Sequence, residues 1–305
     1  MVKLSRVVSR PFLLLLPACI WLNCAQNEGS DGTTRQIFDR IAADDWQEVF
    51  YDPCTVGWRL HWTLDGLKAT ITNTSKGMDF YAAPTVEDSS HAVLWTNQSF
   101  AGDVRIEYEY TRLDSATRFV TILYVQATGS GVGPYLEDIS EWASLRTVPA
   151  MRTYFNNVNL YHISYAAHDN QNTNADADYI RARRYLPEAN KGLEGTALEP
   201  DFFGTGLFRT GVPHKITVIK KGQELFMHIR NEKKDLLCHW QNQSLPPITE
   251  GPIGLRHMHT RKARYRDFRV SIRMSKANPK LNRVSTSPEI ASANTARNNR
   301  FWEPF

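Results

Sequence analysis

The stretch Asp-Val-Arg-Ile-Glu-Tyr-Glu-Tyr-Thr at positions 103–111 alternates strictly between polar and apolar side chains. In an extended chain one side carries Arg105, Glu107 and Glu109, and the other carries Ile106, Tyr108 and Tyr110. Similar runs recur at 119–127 and 263–272, and a hairpin signal places Gly222 in a turn between two more. A sustained 3.6-residue periodicity is almost lacking from 51 to 273. The pattern predicts an all-β fold, an antiparallel sandwich with polar connections.

The first 25 residues have the organisation of a secretory signal. Three basic residues precede the apolar run Pro11 to Leu22, which ends near small residues. This run is shorter than the roughly 20 residues that a membrane-spanning helix needs. We therefore expect an exported protein, periplasmic or secreted, with no membrane span. The box Leu-Pro-Ala-Cys at 16–19 leaves lipidation of Cys19 as an alternative.

Four segments follow from this organisation. Residues 1–25 are the signal, 26–50 a lead-in with a short helical pattern, 51–274 the β domain, and 275–305 a polar tail. The tail is rich in Ser, Asn, Thr and Arg, buries little apolar surface and is predicted to be disordered.

The charge of the chain argues against a nucleic-acid partner. The formal net charge of +4 includes +3 from residues 1–25 and +3 from residues 275–305, so that −2 remains on 26–274. Proteins that bind the phosphate backbone depend on clustered Lys and Arg, which a mildly acidic body does not supply.

The cysteines and polar loops give no clear metal site. After removal of the signal, Cys54 and Cys238 remain, and a disulfide or two buried thiols are equally compatible with the sequence. No Cys/His spacing typical of structural zinc is present. We expect no cofactor, with a structural calcium ion in the Asn- and Asp-rich run 170–178 as an alternative; that run lacks the mid-loop Gly and final Glu of an EF-hand.

Several motifs carry a resemblance to a known family. They are His-Ala-Val-Leu-Trp-Thr at 91–96, Ile-Glu-Tyr-Glu-Tyr-Thr at 106–111, Ile-Ser-Glu-Trp-Ala at 139–143, Tyr-His-Ile-Ser-Tyr-Ala-Ala at 161–167, Asp-Tyr-Ile-Arg-Ala-Arg-Arg-Tyr at 178–185, and parts of 205–220 and 253–272. Over about 90–273 the chain resembles the DUF1961 family, of which a bacterial member is encoded beside rhamnogalacturonan-degrading genes. The resemblance implies a concanavalin A-like jelly roll of the lectin/glucanase superfamily. Two packed antiparallel sheets would then present a concave, saccharide-binding face.

Two predicted strands, 162–168 and 178–185, bring together residue types that hold an acidic sugar and move a proton. The first is predicted to place His162, Ser164, Ala166 and His168 on one face. The second places Arg181 and Arg183 on one face, where guanidinium groups match a carboxylate or sulfate. A core histidine, and a surface arginine ladder paired with Glu107 or Glu109, are the structural alternatives.

A uronate permits β-elimination, in which a base removes the C5 proton and an acid protonates the departing C4 oxygen. Lyases with this jelly roll commonly use a His/Tyr pair supported by Arg and Gln or Asn. The predicted catalytic residues are His162, Tyr179 and Tyr124. The predicted substrate-binding residues are Arg181, Arg183, Gln126, Tyr165, Trp142 and His257. The expected partner is an acidic, ulvan- or rhamnogalacturonan-type polysaccharide or oligosaccharide, and the enzyme is a lyase or a dehydratase.

Two other functions remain open at this stage. Glu107 and Glu109, at i and i+2 on one strand face, could flank a glycosidic bond as in a retaining hydrolase, although the third acidic residue usual in hydrolases of this fold is missing. A non-catalytic carbohydrate-binding protein of the same fold is the other alternative. The long segments 129–160 and 186–213 are predicted to form walls or lids over a groove.

Overall fold

The computed structural model describes residues 25–169, 174, 176–188 and 191–274. Residues 1–24 of the predicted signal, which include Cys19, the polar tail and most of the 170–178 run lie outside these residues. The strands are β1 (Trp46–Asp52), β2 (Trp62–Asp65), β3 (Thr70–Thr74), β4 (Gly77–Tyr81), β5 (Ala92–Thr96), β6 (Phe100–Ala101), β7 (Val104–Arg112), β8 (Phe119–Gly129), β9 (Val158–His168), β10 (Asp178–Tyr185), β11 (Ala197–Phe203), β12 (Pro213–Lys221), β13 (Glu224–Arg230), β14 (Asp235–Gln241), β15 (Glu250–Gly251), β16 (Gly254–His257) and β17 (Lys262–Arg273). The helices are α1 (Ala25–Ala42), α2 (Met151–Asn157) and 3₁₀ helices at Trp58–Leu60, Asp88–Ser90 and Ile139–Arg146.

Two large antiparallel sheets form the sandwich, which confirms the predicted all-β class. The eight-stranded sheet has the order β14-β13-β12-β7-β17-β4-β3, with β1 paired to β17, and the seven-stranded sheet has the order β11-β10-β9-β8-β16-β5-β2. The hairpin predicted around Gly222 joins β12 to β13. The third 3₁₀ helix begins at Ile139, inside the long segment 129–160.

The core lies between the sheets because one side of nearly every strand is apolar. In β7, Ile106 and Tyr110 are buried while the polar residues between them are partly exposed. Leu123 and Ile163 project from the seven-stranded sheet into the same core. Burial of alternating apolar side chains on two facing sheets is the main stabilising contribution in such a fold.

The outer surface of the eight-stranded sheet is partly covered by α1. Phe38 and Ile41 of this helix pack against Ile219, Phe226 and Leu237. The short helical pattern predicted in the lead-in segment is therefore a helix docked on the sheet.

Candidate functional site

The side of the seven-stranded sheet that faces away from the eight-stranded sheet is called the outer face here. The strand register aligns one residue from each of six neighbouring strands in a single row across it. In order from β10 to β2, the row is Arg183, His162, Tyr124, Gly254, Trp95 and Thr63. A second row, two residues along, contains Arg181, Ser164, Ile122, Arg256, Val93 and Asp65.

Gly254 opens the space in which the aromatic rings of the first row stack. A Cβ atom at this position would lie 2.6 Å from the indole of Trp95, so only glycine lets that ring lie across the strand. Trp95 then stacks on Tyr124 with ring centroids 5.6 Å apart and an interplanar angle of 14°. Tyr154 of α2 stacks on Tyr124 at 5.8 Å. The short helix α2 is thereby packed over the row.

His162 lies at the centre of a buried hydrogen-bonded group. Its Nδ1 is 2.6 Å from the Tyr185 hydroxyl and its Nε2 is 2.5 Å from the Ser164 hydroxyl. Tyr124 contacts the imidazole edge-on, with centroids 5.7 Å apart. Burial, followed by the positive charge of nearby arginines, lowers the pKa of His162 well below its usual value. The imidazole is therefore neutral, with one nitrogen carrying a proton and the other a lone pair.

The positive charges of three arginines act on this imidazole, and only one of them has a carboxylate partner among the residues described. Arg181 is paired with Asp201 on β11, with Nε 2.8 Å from the carboxylate. Arg183 makes a 3.3 Å contact with the Thr196 hydroxyl, and no ion pair of the described chain includes it. Arg256 is fully buried, and its Nε and Nη1 have no hydrogen-bond acceptor there.

We call His162, Tyr124, Tyr185, Arg181, Arg183 and Arg256 the basic cluster. Burial is also the main reason why the pKa of Tyr124 is raised and that of Tyr185 is raised well above its usual value. Both phenols therefore remain protonated. An anion is the ligand that these unpaired guanidinium groups favour, because a buried charge without a partner is costly.

The structure separates Tyr179 from His162, although the sequence analysis assigned both to catalysis. Tyr179 is paired with Ala167, whereas His162 is paired with Arg183, four positions further along β10. At a rise of about 3.3 Å per residue this is about 13 Å. The tyrosine hydroxyl bonded to His162 is instead that of Tyr185, which is not among the predicted catalytic residues. Its signal was present, since it continues the alternation of Tyr179, Arg181 and Arg183.

A second buried network supports the row from the side of β2. One Oδ of Asp65 accepts hydrogen bonds from the Trp95 indole at 2.7 Å, the Arg146 Nε at 2.6 Å and the Tyr154 hydroxyl at 2.8 Å. Asp65 and Arg146 are 1% and 2% exposed. Arg256 donates through Nη2 to Nδ1 of His91 at 2.7 Å. These bonds fix the 3₁₀ helix Ile139–Arg146 and α2 against the outer face.

Two bulges change the predicted facing of several residues. Gln126 has a φ of 54°, and its amide donates to the carbonyls of Phe100 and Gly102, so it does not share the face of Tyr124. Ala166 has a φ of 45° and joins the core between the sheets. Beyond it, His168 contacts Arg112 of the opposing sheet at 3.4 Å. The face predicted for His162, Ser164, Ala166 and His168 therefore holds only for the first two.

Three further predicted binding residues are buried away from any open surface. Tyr165 lies between the sheets, with its hydroxyl 3.4 Å from that of Tyr265. His257 stacks on Phe80 at 4.3 Å and bonds to the same Tyr265 hydroxyl. Trp142 is 2% exposed, donates to the Leu136 carbonyl and is covered by Arg146. All three contribute to packing and cannot stack on or bind a ligand at the surface.

Burial of His257 makes the stability of the protein sensitive to acid. Desolvation lowers the pKa of this histidine to about 3, below its value in an unfolded chain. The unfolded state therefore binds more protons as the pH falls through about 6.5, and the folded state loses about 1.4 kcal/mol per pH unit. We expect His257→Phe to reduce the pH dependence of the unfolding free energy by this amount between about pH 4 and 6. Urea denaturation at several pH values measures it, and an unchanged slope would contradict the assignment.

Glu107 and Glu109 lie on the outer surface of the eight-stranded sheet, on the opposite side of the sandwich. Glu107 forms an ion pair with Arg105 at 2.7 Å. Glu109 is in register with Lys215 and Arg266 on the two neighbouring strands. The ladder considered in the sequence analysis, in which Arg181 and Arg183 pair with Glu107 or Glu109, is therefore not formed, because these arginines and glutamates lie on different sheets.

Thr63 and Trp95, at the β2 end of the first row, line a cavity of about 610 Å³. Its walls come from residues 96–99, 137–146 and 250–252. Arg146 also lines it, so that the cavity adjoins the Asp65 network. The cavity and the basic cluster lie at opposite ends of one row.

The described residues also bear on the predicted disulfide, metal and membrane properties. Cys54 and Cys238 are both free and buried in the structure. No group of three metal-binding side chains, and no helix long and apolar enough to cross a membrane, occurs in the described part of the chain.

Several solved structures are similar to this one. The structure is similar to a protein of unknown function with a galectin-like fold from Bacillus subtilis, with 20% sequence identity, a TM-score of 0.55, and coverage of 75% of this chain and 100% of the other. It is also similar to the exoplasmic/lumenal domain of VIP36 in a Ca²⁺- and Man2-bound form (13% identity, TM-score 0.47, 78% and 94% coverage). A third similar structure is the carbohydrate-binding module CBM66 from Bacillus subtilis (10% identity, TM-score 0.40, 68% and 93% coverage).

No curated protein matches the sequence. The galectin-like neighbour confirms the predicted jelly roll, and the model of a domain of unknown function, DUF1961, matches residues 60–270. Because this match spans more than half of the chain, the chain belongs to the DUF1961 family.

Proposed function

We propose that this protein is an exported carbohydrate-active enzyme that binds an acidic saccharide at the basic cluster and cleaves or dehydrates it by β-elimination. One observation carries the proposal. A neutral histidine is hydrogen-bonded to a protonated tyrosine and lies near three arginines. Two of these arginines have no carboxylate partner among the described residues. This combination supplies a proton acceptor, a proton donor and a site for a uronate carboxylate.

The chemistry assigns one role to each group. Arg183 pairs with the carboxylate, and the buried positive charge of Arg256 adds to the potential there, which makes the C5 proton of the uronate more acidic. His162 accepts that proton, the C4–O bond breaks as the C4=C5 double bond forms, and Tyr185 donates its proton to the departing oxygen. The imidazolium then returns a proton to the tyrosinate, so that both groups regain their starting state. A sugar as leaving group makes the enzyme a lyase, and hydroxide makes it a dehydratase.

Access to His162 requires movement of the segment above it. His162 is 4% exposed and Tyr124 is fully buried. Tyr154 of α2 lies on Tyr124, and Phe155 contacts Tyr185 edge-on at 6.4 Å. In the proposed cycle α2 moves aside when the saccharide binds, as covering segments do in many enzymes.

The same burial favours the second candidate function, a carbohydrate-binding protein without catalysis. In that case the half-buried Arg181 and Arg183 hold the acidic sugar at the surface, and the histidine only supports the sheet. The two functions differ in whether the saccharide is altered or only held.

The first test is the ultraviolet absorbance of the unsaturated uronate formed from a panel of uronic-acid polysaccharides and oligosaccharides. We expect the absorbance to rise with the wild-type protein. Because a charge-assisted hydrogen bond contributes about 1.5–3 kcal/mol, we expect Arg183→Ala to lower kcat/KM by about 10- to 100-fold.

The matched control is Arg230→Ala, which removes an exposed arginine from the eight-stranded sheet and should leave kcat/KM unchanged. A flat absorbance with measurable binding supports the non-catalytic function. The hydrolase is supported instead if the absorbance stays flat while new reducing ends form, and if Glu107→Gln no longer forms them.

A further inference from the structure

The cavity at the β2 end of the row differs in charge from the basic cluster. The carboxylates of Glu137, Asp138 and Glu250 stand at its rim. None of the three is in an ion pair of the described residues, and the one cationic side chain that lines the cavity, Arg146, is held by Asp65 and the Ile139 carbonyl. The lining therefore carries an excess of negative charge and has no unpaired cation for a uronate carboxylate.

The polar groups of the rim suit a ligand with many hydroxyl groups. Besides the carboxylates, the rim offers the exposed amide of Gln98 and the hydroxyl of Ser140. Carboxylate oxygens only accept hydrogen bonds, whereas amides and hydroxyls both donate and accept. This mixture matches alcohol groups, which also do both.

The floor of the cavity is apolar. It is formed in part by Trp95, Ala127 and Ile139, all of which are buried. A sugar ring has the matching character, with a face of C–H groups and a periphery of hydroxyls. An ammonium group gains little from exposed rim carboxylates, since their attraction is screened by water.

We propose that this cavity binds an uncharged sugar residue. The register row connects it to the basic cluster: Trp95 and His162 are three strands apart, which is about 14 Å at the usual strand spacing. The two sites thus lie along one line on the same face. This step rests on the proposed function, in which the basic cluster binds a uronate. The substrate then contains an acidic and a neutral sugar residue in the same chain.

The test uses methyl glycosides of galactose, glucose, xylose and rhamnose as neutral probes, with glucuronate and glucosamine for comparison. Binding is followed by ligand-observed NMR titration. Ala143→Phe fills the cavity from its wall, and Gln98→Ala removes an exposed amide from its rim. Ala43→Phe introduces the same ring at an exposed position outside the cavity, and thermal melts check that each variant is folded.

We expect at least one neutral glycoside to bind, with affinity reduced at least about tenfold in Ala143→Phe, as for the loss of one well-fitted group. Binding should weaken in Gln98→Ala, stay unchanged in Ala43→Phe, and survive Arg183→Ala, which should weaken glucuronate alone. The inference is overturned if the affinity for neutral glycosides is unchanged in Ala143→Phe, or if the protein prefers glucosamine. Failure of the proposed function has a different signature, namely glucuronate binding that Arg183→Ala does not affect.

Discussion

His162→Gln is expected to lower the rate of elimination by about 100- to 10,000-fold, the usual contribution of a positioned proton-transfer group. Glutamine fills much of the same space and keeps a donor and an acceptor, so it can still bond to Tyr185 and Ser164. It has no basic nitrogen at neutral pH and cannot accept the C5 proton. Initial rates of double-bond formation measure the effect. The control is His61→Gln, at a half-buried histidine outside the basic cluster.

Tyr185→Phe separates the proton donor from the base. It removes only the hydroxyl 2.6 Å from His162 and retains the ring. We expect a loss of similar size for substrates whose leaving group is a sugar. Full activity in this variant would transfer the donor role to Tyr124, the other phenol beside the imidazole.

Asp65→Ala is expected to lower the free energy of unfolding by about 3–5 kcal/mol, the usual cost of leaving one partner of a buried ion pair alone. The substitution deprives the indole of Trp95, the guanidinium of Arg146 and the hydroxyl of Tyr154 of their common acceptor. Since Tyr154 and Trp95 both stack on Tyr124, the loss should also loosen the outer face. Denaturant unfolding measures the change.

The double variant Asp65→Ala/Arg146→Met shows how much of the loss in unfolding free energy is due to the unpaired guanidinium of Arg146. We expect it to be more stable than Asp65→Ala alone, because the unpaired charge is gone. Asp138→Ala is the comparison, because this exposed aspartate only caps the 3₁₀ helix Ile139–Arg146 by accepting from the Ser140 N–H, a bond whose loss costs about 1 kcal/mol. If Asp65→Ala changes stability no more than Asp138→Ala, the network does not hold the covering segment.

The alternation of side chains predicted the strands well, and it predicted facing correctly up to the first irregularity. In β10, Tyr179, Arg181 and Arg183 share a face as expected, and His162 lies opposite Arg183. After the bulges at Gln126 and Ala166, each following side chain lies on the opposite face of the sheet from the one predicted. No turn residue marks either position. A period of two carries no information about where such a bulge falls.

The supporting network could not be predicted for a different reason. Asp65 and Arg146 are 81 positions apart, and Arg256 meets His91 across 165 positions. Each looks like an ordinary surface charge in its own segment. Only the strand order, which places β16 between β8 and β5, brings Arg256 beside Tyr124 and Tyr154.

The position of β17 bears on how the chain is made. This strand lies between β7 and β4 and also pairs with β1, although it is the last strand that the structure describes. While the ribosome is still adding residues before Lys262, three strands lack their partner and leave backbone edges open. Completion of the sandwich must therefore follow synthesis of residues 262–273, and pairing between such distant segments is slow. A nascent chain of this kind therefore exposes open strand edges until its last described strand has been made.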